Sequence, residues 1–74
     1  MTFGHADVVL WSLRKGEHKA YAELRMIDGS EDELRLVTMG KRETRLFKPD
    51  ERALLLAVAR EKREELEAMG WRTG

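Results

Sequence analysis

Apolar and polar residues alternate over residues 6–47, whereas residues 48–69 carry their apolar residues at helical spacing. Alternation is typical of half-buried strands, and apolar residues three and four positions apart indicate one face of a helix. Strands are predicted at residues 6–14, 18–27, 33–39 and 43–47. The pattern therefore predicts an α+β fold: a four-stranded antiparallel meander with one C-terminal helix packed across one face of the sheet.

The hairpin turns give a first estimate of strand register. A two-residue turn at positions 15–16 would place Trp11 opposite Ala20, where a large ring packs beside a small side chain. After the loop of residues 28–32, pairing Met26 with Leu34 would keep one face of the sheet apolar. A third turn is predicted at residues 40–42.

The helix has recognisable start and stop signals. Pro49 suits the first helical position because its fixed φ is already helical. Gly70 can take the left-handed conformation that ends a helix in a Schellman motif, with Trp71 folding back on Leu66. One side of the helix is predicted to face the sheet, and it holds Leu55, Val58, Ala59, Leu66 and Met69.

Length and composition predict one small domain over residues 1–74. The chain has no Cys, which excludes disulfides and thiolate metal sites. A partner subunit is then the expected supplement to a small core, so we predict a homodimer. The longest apolar run, residues 53–59, is too short for a membrane span, and the start lacks the pattern of a secretion signal. We predict a cytoplasmic protein with no membrane association.

Catalysis and metal binding are not predicted. The chain has 2 His residues and no Cys, and no nucleophile is spaced to meet a base and an orienting group. His5, Asp7 and His18 could meet only if the chain start folds across the first hairpin. The acidic residues within 28–33 lack the spacing of a dedicated calcium loop. We therefore predict a protein that is not an enzyme and has no cofactor or metal.

Charge leaves a nucleic-acid site open as an alternative. Lys plus Arg and Asp plus Glu both number 14, so the net charge of zero gives no broad positive field. Basic residues interleaved with an aromatic ring can nevertheless follow a single strand by charge and stacking. One sheet face is predicted to carry Lys19, Tyr21, Arg25 and Arg35, with Lys15, Lys41 and Arg42 at the hairpin tips. Glu23 and Glu33 share that face and would repel phosphate.

Binding through a protein surface is the preferred function. The sheet face opposite the helix is predicted to hold a contiguous apolar group, which is typical of an interface. The first half of the helix carries surplus apolar residues as well. We predict a non-enzymatic binding or adaptor protein acting through a protein surface, with an unknown protein partner. The candidate interface residues are Leu10, Tyr21, Val37 and Leu46 on the sheet and Leu54 on the helix.

Two resemblances accompany these predictions. The segments RKGEHKAYAELRMID and GKRETRLFKPDERALLLAV resemble the positive cofactor four family of single-stranded-DNA-binding coactivators. That resemblance implies a dimer whose hairpin residues hold DNA, although Glu43-Thr44 stand where the family tends to have Gly and an apolar residue. The nucleic-acid-binding residues that it implies are Lys15, Lys19, Tyr21, Arg25, Lys41 and Arg42. The segments LWSLRKG, ELRLV, TRLF and EKREELEAMGW are similar to short uncharacterised bacterial proteins, and that resemblance implies no activity.

Overall fold

A computed structural model describes residues 7–27 and 31–73. It confirms an α+β fold with an antiparallel sheet and one C-terminal helix, but the sheet has five strands where four were predicted. The additional strand follows the helix and pairs with the first strand, giving the order β4-β3-β2-β1-β5. The strands are β1 (Asp7–Lys15), β2 (His18–Ile27), β3 (Glu31–Thr38), β4 (Lys41–Phe47) and β5 (Arg72–Thr73).

Both predicted strand registers are wrong by two residues. The loop of the first hairpin is residues 16–17, so Trp11 pairs with Ala22 where Ala20 was predicted. Gly16 takes φ +62° at the first loop position, as a type II′ turn requires. Met26 pairs with Asp32 where Leu34 was predicted. A shift of two residues keeps every side chain on its predicted face, which is why the apolar pattern could not detect it.

A β-bulge in β1 changes the faces of its first residues. The register with β2 shifts between Val9 and Trp11, leaving Leu10 as the extra residue. Val8 consequently pairs with Leu24, a buried residue of the helix-facing side. Leu10 packs against the core, whereas alternation without a bulge had placed it on the opposite face.

A short 3-10 turn, Pro49–Glu51, leads into α1, Arg52–Ala68. The backbone N–H of Lys48 donates to a Glu51 carboxylate oxygen at 2.9 Å, so an orphan donor at the helix start is satisfied. Pro49 lies at the first helical position as predicted.

The C-terminal end of α1 confirms the predicted Schellman motif. Gly70 has φ +99° and its N–H donates to the Glu67 carbonyl at 3.0 Å. The N–H of Trp71 donates to the Leu66 carbonyl at 3.1 Å. These are the two hydrogen bonds that define the motif. The turn reverses the chain so that it returns to β1 as β5.

The core lies between the sheet and one side of α1. Leu55, Ala59 and Leu66 are buried there, and Val58 is partly buried against the same cluster. Met69, predicted on this side, is 52% exposed because it is the last residue before the chain reverses. The strands of the sheet add Trp11, Leu13, Ala20, Ala22, Leu24, Leu34, Leu36 and Phe47 to this core. Trp71, which follows the turn at the end of α1, completes it.

Two polar contacts fix the helix on the sheet. Trp11 Nε1 donates to the Ala59 carbonyl at 2.9 Å within the core. Arg52 donates through Nε and Nη2 to both carboxylate oxygens of Asp32, at 3.0 and 3.1 Å. Asp32 is almost fully buried, so this bidentate pair satisfies a carboxylate that would otherwise be costly to bury.

Candidate functional site

The sheet face away from α1, called the open face below, has no other described element packed on it. Its side chains alternate along each strand with those that contact the core. On β1, for example, Leu13 is fully buried, whereas its neighbours Ser12 and Arg14 point to the other side and are exposed. Cross-strand partners share a face, so the pairing register assigns the remaining residues of the open face.

The centre of the open face is a network of ion pairs. Arg35 lies 3.5 Å from Glu23 and 3.2 Å from Glu33, and Arg25 lies 3.9 Å from Glu33. The four side chains are only 17–33% exposed, which reduces the screening of these pairs by solvent. The sequence had suggested that the two glutamates would repel phosphate. Because each carboxylate is matched by arginine, that repulsion is largely cancelled.

One end of the open face, called the basic end below, collects four cations. Arg14 pairs directly with Lys19 of β2 on one side and with Arg72 of β5 on the other. In the next row, Tyr21 of β2 pairs with Val37 of β3, and Val37 pairs with Arg42 of β4, so Arg42 lies two strands from Tyr21. All four cations are exposed, and none forms an ion pair with another described residue.

The basic end contains three of the six predicted nucleic-acid residues, namely Lys19, Tyr21 and Arg42. It also contains Arg14 and Arg72, which the sequence analysis missed. Arg14 could have been found, since it alternates with Leu13 in the first predicted strand. Arg72 could not, because a two-residue strand has no periodicity to detect.

The other three predicted residues lie elsewhere. The Lys15 ammonium donates to the Met69 carbonyl at 2.7 Å and so caps the end of α1. Arg25 belongs to the ion-pair network. Lys41 pairs with Thr38 on the helix-facing side, because the third turn is residues 39–40 rather than 40–42. A turn that is one residue shorter extends β4 and separates Lys41 and Arg42 onto opposite faces of the sheet.

The predicted apolar interface on the sheet is not continuous. Tyr21 and Val37 are adjacent, both half-buried. Leu46, 57% exposed, pairs with Glu33 in a different row of the sheet. Leu10 is on the core side, as described above. On the helix, by contrast, Leu54 is 53% exposed, and Leu56 is 44% exposed.

A shallow groove of about 550 Å³ runs between β4 and α1 on the helix-facing side. The helix does not cover β4, so Leu36 and Met39 contribute apolar surface to the groove. Lys41, Glu43 and Lys62 also line it, and the Lys62 ammonium lies 3.1 Å from a Glu65 carboxylate oxygen. The mixed charges give the groove no clear preference for one class of ligand.

Within residues 7–27 and 31–73, no group of three or more His, Asp or Glu side chains is arranged to hold a metal ion. His5 and Asp28, considered as ligands from sequence, lie outside the described residues, and the side chain of Asp7 does as well. No helix in the described part of the chain has the length and apolar character to cross a membrane.

Comparison of the chain with protein-family models, with curated proteins and with solved structures finds no match. The two resemblances stated from sequence therefore stay predictions.

Proposed function

We propose that this protein is a non-enzymatic binding protein that holds single-stranded nucleic acid on the basic end of its open face. The observation that carries the proposal is the grouping of Arg14, Lys19, Arg42 and Arg72 around Tyr21, with no described acid paired to any of them. In a chain whose net charge is zero, this grouping is a local patch and not a general excess of positive charge.

The charge of the basic end supports phosphate as the recognised group. Elsewhere on the open face Glu23 and Glu33 are matched by arginines, so the unmatched positive charge lies at one end. A phosphate backbone that binds there would release counterions from the nucleic acid, which favours association at low salt. Arginine also offers a planar pair of donors that fits two phosphate oxygens.

The shape of the face supports a single strand over a duplex. The major groove of B-DNA admits a helix or a two-stranded ribbon, whereas the basic end spans the five strands of the sheet. A single strand can lie flat on a sheet and stack a base on an aromatic ring. Tyr21, half-buried beside Val37, supplies a ring of that kind.

The proposal is tested by fluorescence anisotropy with a labelled oligothymidylate of about 12 nucleotides, a length within the usual range of single-strand sites. Four phosphate contacts predict that log K falls with log salt with a slope of about −2.8, since each contact contributes about −0.7 for single strands. Arg14→Gln, Lys19→Gln and Arg42→Gln should each reduce the slope by about 0.7. Tyr21→Ala should weaken binding by about 1–3 kcal/mol through lost stacking.

Arg60→Gln is the matched control, because Arg60 is exposed on α1 and makes no ion pair with a described residue. It should leave affinity and slope unchanged. Equal losses for Arg60→Gln and Arg14→Gln would show general charge attraction and contradict a site on the open face. No measurable binding of the oligonucleotide at about 50 mM salt would also overturn the proposal.

A second candidate is protein binding, with self-association as its simplest form. It is favoured by Leu54 and Leu56, two large apolar side chains exposed on the first half of α1. The second half of the helix is dominated by charges such as the Arg63–Glu67 pair at 3.1 Å. The two side chains lie about 200° apart around the helix, so a second copy seated on the side of Leu54 would cover that residue alone. For both candidates we propose a cytoplasmic protein, because a chain without Cys has no disulfide that would need an oxidising compartment.

A further inference from the structure

We propose that anion binding at the basic end fixes the C-terminal strand β5 onto the sheet, so that ligand binding and docking of β5 favour each other. This inference rests on the proposed function. Three cations lie in one row across neighbouring strands, namely Arg72 on β5, Arg14 on β1 and Lys19 on β2. Each is the direct cross-strand partner of the next.

Such a row is unfavourable in the free protein. Like charges directly opposite each other destabilise strand pairing, because their Cβ atoms lie only about 4.5–5.5 Å apart. No described acid pairs with any of the three. A row of repelling cations at the surface is therefore a local conflict with the fold, and such conflicts are expected at binding sites.

The repulsion falls on the weakest strand of the sheet. β5 is two residues long, both exposed, and it pairs with β1 only through Leu13–Thr73 and Arg14–Arg72. The residue before it is firmly held, since the Trp71 side chain is buried and its N–H donates to Leu66. Only the part of the chain after Trp71 can therefore detach without opening the core.

A phosphate group removes the conflict. Its oxygens can accept hydrogen bonds from the Arg14 and Arg72 guanidinium groups at once, which replaces repulsion between them by attraction to a shared anion. Arg72 reaches this position only while β5 is paired with β1. The two equilibria are thus coupled, and each must favour the other by the same factor.

The Lys19 carbonyl accepts from the Met39 N–H, so the backbone groups of Lys19 face β3 and those of its partner Arg14 face β5. The Arg72 N–H is therefore the amide of β5 that points to β1, whereas the Thr73 N–H points away from the sheet.

The test measures amide hydrogen exchange of Arg72 by NMR, in the free protein and with the saturating oligothymidylate. Binding should slow this rate about 5-fold or more, the lower limit of typical coupling between sites. In the free protein, Arg14→Gln should also slow the rate because it removes the repulsion, and the oligonucleotide should then slow it further by a smaller factor. Arg60→Gln should behave as the unaltered chain in both states.

The outcomes separate this inference from the proposed function. If anisotropy shows binding at the basic end while the Arg72 rate stays unchanged, the coupling is wrong and the proposed function stands. If the oligonucleotide does not bind, both fail. Faster exchange of the Arg72 amide in free Arg14→Gln would show that Arg14 attracts β5, and it would overturn the coupling as well.

Discussion

The Trp11 indole nitrogen donates a hydrogen bond to the carbonyl oxygen of Ala59 at 2.9 Å, joining β1 to the middle of α1 inside the core. Both residues are buried, so neither group has water as an alternative partner. The contact ties the rotation of the helix to the register of β1. The small side chain of Ala22, the cross-strand partner of Trp11, leaves room for the large ring at this point of the sheet.

Trp11→Phe should destabilise the fold more than Trp71→Phe does. Both changes remove similar apolar area, but Trp71 makes no side-chain hydrogen bond to a described residue. The difference should be about 0.5–1.5 kcal/mol, the net value of one hydrogen bond. Urea midpoints of the two variants, measured with the remaining tryptophan as the probe, give this comparison. Equal midpoints would mean that the hydrogen bond adds nothing to stability.

Arg52→Met should destabilise the fold by about 1–3 kcal/mol, because it leaves the buried Asp32 carboxylate without its donors. The Arg52 side chain is 46% exposed, so solvent weakens the ion pair and the lower part of that range is expected. Arg63→Met, which breaks an exposed pair on the same helix, is the control and should cost at most about 0.5 kcal/mol. Thermal unfolding checks both values, and similar losses would contradict a special role for Asp32.

Gly70→Ala should destabilise the fold by about 1–2 kcal/mol, because φ +99° is unfavourable for a residue with a Cβ atom. An added Cβ would lie 3.7 Å from Lys15 Cε, an ordinary contact, so the cost comes from the backbone and not from crowding. Gly70→Asn should cost less, since Asn tolerates the left-handed region better. Chemical denaturation of both variants tests the order, and equal losses would point to the side chain instead.

If the first half of α1 is a dimer interface, the thermal midpoint should rise with protein concentration, because association stabilises only the folded state. Sedimentation at micromolar concentration should show twice the chain mass, and Leu54→Asp should give a monomer. Leu46→Asp tests the sheet instead, because Leu46 is similarly exposed on the open face. Loss of the dimer in Leu46→Asp alone would move the interface to the sheet. A monomer at every concentration would end the self-association candidate.

The sequence by itself determined the local elements of this protein. Alternation showed which residues of β2 and β3 face the core, and helical spacing identified Leu55, Ala59 and Leu66. Pro49 and Gly70 placed the two ends of the helix within a few residues. These features depend on neighbouring residues along the chain, and the periods of two and 3.6 residues record them directly.

Only the tertiary structure decided how the elements meet. The shift of two residues in the pairing of β1 with β2 and of β2 with β3 does not move side chains from one face of the sheet to the other, so the apolar pattern cannot reveal it. The bulge at Leu10 leaves no clear signal in the sequence. β5 exists because the turn at Gly70 brings Arg72 beside Arg14, residues far apart along the chain. The basic end depends on this pairing of β5 with β1. Its cations were visible in the sequence as scattered charges, but their grouping and their lack of acidic partners come from long-range strand pairing.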